Sequence, residues 1–216
     1  MPAERLSRPD LAALVARAIP RGSYVNLGIG LPTLVSDHLP PDSEIILQTE
    51  NGLLGMGPAV DGDEADYDLV NAGKTPVRAL PGAAYFHHAD SFAMMRGGHL
   101  DVCVLGAFQV STTGDLANWH TGDPDAIPSV GGAMDLAVGA REVYVMMELF
   151  TSSGEPKLVP QLSYPVTGYR CVTRVFTPVA SFTLGAGAPI VNARYGIGAG
   201  ELEDRLGIPI VFDEND

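Results

Sequence analysis

The sequence predicts an α/β fold: an open, mainly parallel sheet flanked by helices, with an antiparallel section late in the chain. Short β-branched apolar runs alternate with segments of helical period through most of the chain, the order expected of strand–helix–strand units. The 25 glycines and 17 prolines are scattered between these runs, which suits many tight turns and not a linker. With 216 residues, 46% of them hydrophobic, the chain can bury one substantial core, so residues 1–216 are expected as a single domain. No repeat or low-complexity segment breaks this pattern.

Ser7 to Ala18 opens with a candidate N-cap, Ser7, and an acidic Asp10 three residues on, then sets Leu11, Leu14, Val15 and Ala18 on one face of an amphipathic helix. Tyr24 to Leu27 reads as a buried strand ending in Gly28-Ile29-Gly30, and Pro32 stands where a helix through His38 would start. Glu44 to Gln48 is a second strand, which runs into a glycine-rich loop from Thr49 to Pro58. Asp61 to Asp68 reads as a solvated acidic loop. Asp101 to Leu105 and Glu142 to Met147 have the short β-branched character of central strands, and Met134 to Val138 forms a short helix behind Gly131-Gly132. Pro165 to Leu184 alternates as antiparallel pairs do, and Glu201 to Leu206 is a short helix before a terminal strand, Ile208 to Phe212.

Charge excludes several functions. A net charge of −13 with only 13 Lys and Arg argues against nucleic acid or an anionic membrane as partner, since both need clustered cations. The N-terminus lacks a basic stretch followed by an apolar run, and no window approaches 18 uninterrupted apolar residues, so a cytoplasmic location is expected. Cys103 and Cys171 each lie in a strand-like apolar run and read as buried thiols.

The strongest chemical candidate is Glu50. A carboxylate at a strand end, followed by glycines at 52, 55 and 57, stands where backbone can approach a ligand closely, because glycine lacks the Cβ that would block it. The competing reading is that Glu50 caps a turn and the glycines satisfy positive φ.

The run Glu50-Asn51-Gly52-Leu53-Leu54-Gly55-Met56-Gly57-Pro58 resembles the signature of the second subunit of family I CoA-transferases. Further matches follow in chain order: Val25-Asn26-Leu27-Gly28-Ile29-Gly30, Asn71-Ala72-Gly73-Lys74, Arg96-Gly97-Gly98-His99-Leu100-Asp101, Gly114-Asp115-Leu116-Ala117-Asn118-Trp119 and Gly131-Gly132-Ala133-Met134-Asp135-Leu136. The resemblance spans roughly residues 7 to 184.

It implies that Glu50 is a covalent nucleophile that carries CoA as a glutamyl thioester between two acids, with no cofactor beyond the CoA thioester substrate. It further implies that Gly131 and Gly132 offer backbone amides to an oxyanion beside Asn26, and that Gly28, Gly30, Asn51 and Lys74 belong to the oxyanion or CoA-binding region. Single-chain members of the family join two related halves, so the first (alpha) subunit of a CoA-transferase is expected as partner, in a heterotetramer or similar assembly.

The segment Tyr85-Phe86-His87-His88-Ala89-Asp90-Ser91-Phe92, together with Asn118-Trp119-His120-Thr121-Gly122, resembles the 3-oxoadipate branch of the family more than the acetoacetate branch. Succinyl-CoA and a small dicarboxylic acid are the implied substrates, with His87, His88, Arg96 and His120 as candidates for the distal carboxylate. A metal site at His87-His88 is disfavoured, because adjacent residues of an extended segment point apart and no third ligand lies at suitable spacing. Two rival readings are a succinyl-CoA:3-oxoacid transferase using acetoacetate, and a non-catalytic effector-binding domain or sugar-phosphate isomerase-like module on the same general architecture. A hydrolase lacks its Gly-x-Ser-x-Gly elbow, and a dinucleotide fingerprint fails at Thr33.

Overall fold

The computed structural model describes residues 4–123, 125, 127, 128 and 131–213. Ser7 Oγ accepts the Asp10 amide at 3.3 Å and starts α1 (Arg8–Ala18), which buries Leu11, Ala12, Val15 and Ala16. After β1 (Tyr24–Leu27) the expected α-helix is instead a 3-10 helix, Leu31–His38. The hydroxyls explain it: Thr33 donates to the Gly30 carbonyl at 2.7 Å and Ser36 to the Thr33 carbonyl at 2.8 Å, favouring partners three residues back over the α-helical ladder.

The chain continues through β2 (Ile46–Thr49), β3 (Leu53–Ala59), β4 (Val77–Tyr85), α2 (His88–Arg96), β5 (Val102–Gly106), β6 (Gln109–Ser111), β7 (Leu116–Ala117), α3 (Ala133–Gly139) and β8 (Glu142–Met146). It ends with β9 (Leu158–Val159), β10 (Val172–Phe176), β11 (Ala180–Thr183), β12 (Ile190–Arg194), α4 (Ala199–Leu206) and β13 (Val211–Phe212). Ten strands form one sheet in the order β13-β12-β11-β10-β8-β5-β1-β2-β3-β4, and β7-β6-β9 form a small second sheet. The central strands β2, β1, β5, β8 and β10 are mutually parallel, and the late pairs β10–β11 and β11–β12 are antiparallel as expected.

Two further elements differ from the sequence-based expectation. The segment after Glu50 is not all loop: Leu53 to Ala59 pairs antiparallel with both β2 and β4, so a second antiparallel section stands at the opposite edge. Its glycines and Pro58 hide it, being residues that strands normally avoid, and the ladder is correspondingly irregular at Leu54/Met56 and Met56/Ala59. His87 and His88 are not extended neighbours either. His87 caps α2, its Nδ1 accepting the Ala89 amide at 3.1 Å, and His88 is the helix's first residue.

The pleat sorts the core into two layers. Val102 and Val104 of β5, with Tyr144 and Met146 of β8, pack against α1, while Cys103, Leu105, Val143 and Val145 face the side of α2 and α3. In β1 and β2, Val25 and Leu47 belong to the α1 layer, which turns Asn26 and Gln48, paired in register, toward α2.

Candidate active site

A cavity of about 520 Å3 opens beyond the C-terminal ends of the parallel strands. The chain leaves β1 for β2 on one side and later returns to β5 on the other, so strand order reverses at β1. Loops diverge at such a reversal and leave a crevice. Gly28 follows β1, Glu50 follows β2, Gly106 ends β5 and Met146 ends β8; all four line the cavity.

Glu50 lies in the tight turn between β2 and β3, which Gly52 closes at φ +109 by donating its amide to Thr49 at 3.1 Å. A Cβ at Gly52 would collide with the Phe86 carbonyl, so only glycine lets the turn lie against the start of α2. The Glu50 side chain reaches across to α3, where its carboxylate lies against Gly132; a Cβ there would collide with Oε2. Partial burial holds the Glu50 carboxyl above its ordinary 4.5, and nearby His88 pulls it partly back. His88 is itself set edge-on to Phe92 at 4.9 Å.

Behind Glu50 runs a chain of buried polar side chains. Asn26 Nδ2 donates to the Gln48 carbonyl at 3.1 Å and to Gln48 Oε1 at 2.6 Å; Gln48 Nε2 donates to Ser91 Oγ at 2.6 Å, and Ser91 Oγ donates to the Thr49 carbonyl at 3.1 Å. It ties β1, β2 and α2 together next to the nucleophile candidate. The opposite wall is mostly backbone. Asn118 Nδ2 donates to the Gly106 carbonyl at 3.1 Å and Lys157 Nζ to the Ala107 carbonyl at 2.9 Å, while the Phe108 amide donates to Ala117 at 2.9 Å. Burial lowers the Lys157 pKa, with Glu148 partly offsetting the shift.

Of the residues singled out from sequence, Glu50, Asn26, Gly28, Gly131 and Gly132 line this cavity. Gly131 has φ +46, and Gly132 caps α3 without a side-chain partner. The others stand outside the lining. Gly30, at φ +89, precedes the 3-10 helix. Asn51 donates to the Val70 carbonyl at 2.8 Å, bracing the Glu50 turn from outside. Lys74 occupies a left-handed turn at φ +63, exposed, two residues from the lining Ala72. Arg96 is ion-paired with Asp135 at 2.6 Å, locking α2 to α3, and His120 Nδ1 accepts the Gly122 amide at 2.9 Å.

No Lys, Arg or His is among the cavity's described lining residues; of the four candidates for a distal carboxylate, His88 alone acts on Glu50. Sequence reasoning did not single out Gln48, Ser91, Gly106, Phe108 or Lys157. Gln48 alone carried a signal, as a polar residue in an apolar strand. Among the described residues no cluster of three or more His, Cys, Asp or Glu could hold a metal ion, and no helix is long and apolar enough to cross a membrane. Cys103 and Cys171 are free thiols, with Cys171 pushed up to about 11 by burial.

Comparison with known proteins shows the family. The sequence profile of a family described as Coenzyme A transferase matches residues 8–187. The chain is 56% identical over 209 residues to the second (beta) subunit of 3-oxoadipate CoA-transferase from Pseudomonas putida, covering 96% of this chain and 98% of that one. It is 43% identical over 199 residues to the corresponding subunit of succinyl-CoA:3-ketoacid coenzyme A transferase from Helicobacter pylori, covering 92% and 95%. The fold is shared with an acyl-CoA transferase apoenzyme from Escherichia coli O157:H7, with a TM-score of 0.73 and 18% identity, over 99% of this chain and 43% of that one.

Proposed function

The chain belongs to the coenzyme A transferase family, as a second (beta-type) subunit, and we propose that it is the nucleophile-bearing half of a two-subunit enzyme moving CoA from succinyl-CoA to 3-oxoadipate. The observation that carries the proposal is the Glu50 carboxylate, half-buried in the cavity and pressed against glycine backbone at the C-terminal ends of the parallel strands.

The reaction is a ping-pong exchange. A Glu50 carboxylate oxygen attacks the thioester carbonyl, and the C–S bond breaks to give a mixed anhydride and CoA thiolate. The thiolate attacks the glutamyl carbonyl and displaces succinate, leaving Glu50 as the CoA thioester. The acceptor carboxylate runs the same steps in reverse, so the carboxylate is restored and no cofactor is consumed. Each addition places negative charge on an oxygen beside Gly131 and Gly132, whose backbone amides are the proposed donors. The apolar part of the lining, Leu27, Ile29, Leu105, Phe108, Leu136 and Met146, limits water that would hydrolyse the anhydride or thioester.

The 3-oxoadipate assignment rests on whole-length similarity to the Pseudomonas putida protein. A first (alpha) subunit completes the site, in a heterotetramer within the cytoplasm, and supplies the positive charge absent from the described lining residues. Residues 1–216 act as one domain in it. One observation favours a second reading: with no cationic side chain among the described lining residues, a monocarboxylic acceptor such as acetoacetate needs no further partner. The test is kcat/KM for 3-oxoadipate and for acetoacetate, with succinyl-CoA as donor and the co-expressed two-subunit complex as enzyme. Preference for the dicarboxylate supports the first reading, and preference for acetoacetate replaces it with the second.

A further inference from the structure

Asn26 combines burial, a cavity-facing atom and an orientation that backbone carbonyls determine. Its amide cannot be turned around: the group facing the Gln48 backbone oxygen at 3.1 Å must be a donor, so Nδ2 points there. The other hydrogen of that NH2 goes to Gln48 Oε1. Gln48 is fixed in turn, because its Nε2 must then face Ser91, whose hydroxyl is committed to the Thr49 carbonyl. Both hydrogens of Asn26 are thus spent inside the protein. Every buried side-chain nitrogen and oxygen among the described residues has a partner, and no described donor reaches Asn26 Oδ1; that oxygen is open to the cavity that Asn26 lines. The site therefore presents a rigid hydrogen-bond acceptor beside Glu50, not a donor.

An acceptor needs an N–H or O–H. The acyl arms of succinyl-CoA and of an oxo-dicarboxylate carry only acceptor oxygens at neutral pH. In the CoA thioester the N–H nearest the reacting carbonyl is the first pantetheine amide, two methylenes beyond the sulfur. We propose that Asn26 Oδ1 accepts this pantetheine N–H and so places the thioester in line with Glu50, with Gln48 and Ser91 as positioning residues that keep the oxygen turned outward. The inference rests on the CoA-transferase reading, and gives Asn26 the role of gripping CoA while oxyanion stabilisation stays with backbone amides.

The test is a cycle between protein and ligand in the two-subunit complex. The rate of enzyme–CoA adduct formation is measured with succinyl-CoA and with an analogue whose first pantetheine amide N–H is replaced by an ester oxygen. In the wild-type complex the analogue should react about 10-fold more slowly, the loss expected when one buried hydrogen bond is removed. In Asn26→Ala that penalty should shrink to near unity; an equal penalty in both overturns the inference. Should Asn26→Ala not fold, Asn26→Leu, which keeps the volume but carries no acceptor, should likewise bring the penalty near unity, and an unchanged penalty there also overturns the inference. If the wild-type complex forms no adduct with succinyl-CoA itself, the transferase reading falls and the inference with it.

Discussion

The two walls of the cavity are built on opposite plans. On the β1–β2 side, polar side chains face one another: Asn26, Gln48 and Ser91 form a buried chain next to Glu50. On the β5–β6 side the lining is mostly backbone and apolar side chain, Gly106 to Phe108, braced from behind by Asn118 and Lys157. The first wall holds the proposed nucleophile and its immediate surroundings; the second sets the width of the space in front of it. Damage to the first should therefore be read in chemistry, and damage to the second in geometry.

The largest effect should come from Glu50. Glu50→Ala is expected to abolish exchange with the fold retained, and Glu50→Asp, which withdraws the carboxylate by one methylene, should be nearly as inactive, seen in steady-state turnover and circular dichroism. Next is Gly132→Ala, whose Cβ would collide with Glu50 Oε2. It should lower kcat/KM by about 100-fold through displacement of the carboxylate, with little change in Tm. If it retained full activity, the close approach would carry no functional weight.

Ser91→Ala should cost about 1–3 kcal/mol in chemical denaturation, because Gln48 Nε2 is left buried without an acceptor. Lys157→Met, on the opposite wall, should cost only about 1 kcal/mol and shift KM more than kcat, since it loosens the Ala107 carbonyl without touching the nucleophile. If Lys157→Met cost more than Ser91→Ala, the division between the walls would be wrong.

Glu50 also makes a pH prediction. Its folded pKa is raised above 4.5 by burial, so the ionised form is disfavoured in the fold. The resulting loss of stability is fully present above the folded pKa and disappears as pH falls through it toward 4.5. Glu50→Gln should therefore raise Tm at neutral pH, with the gain fading on acidification. The acid limb of kcat/KM should correspondingly lie above 4.5, where the proposed nucleophile becomes protonated.

How far the molecule is legible in its sequence follows the same division. The central strands, α1, and Glu50 with its glycines can be read because apolar period and glycine requirement are local properties. Leu53 to Ala59 cannot, because Gly55, Gly57 and Pro58 carry a loop's composition and tertiary pairing overrides it. The roles of Ser91, Lys157 and Gln48 depend on partners far along the chain, Ser91 lying 43 residues from Gln48 and Lys157 lying 50 from Ala107. Arg96 is a reasonable carboxylate binder by charge alone; its partner Asp135, 39 residues away, occupies it.

The most direct test of the covalent role of Glu50 is the intact mass of this chain, in complex with its partner subunit, after mixing with succinyl-CoA and trapping with borohydride or hydroxylamine. A modification that maps to Glu50 and is lost in Glu50→Ala is the predicted result. A complex that turns over succinyl-CoA with Glu50 unmodified, or with the modification on another residue, would contradict it.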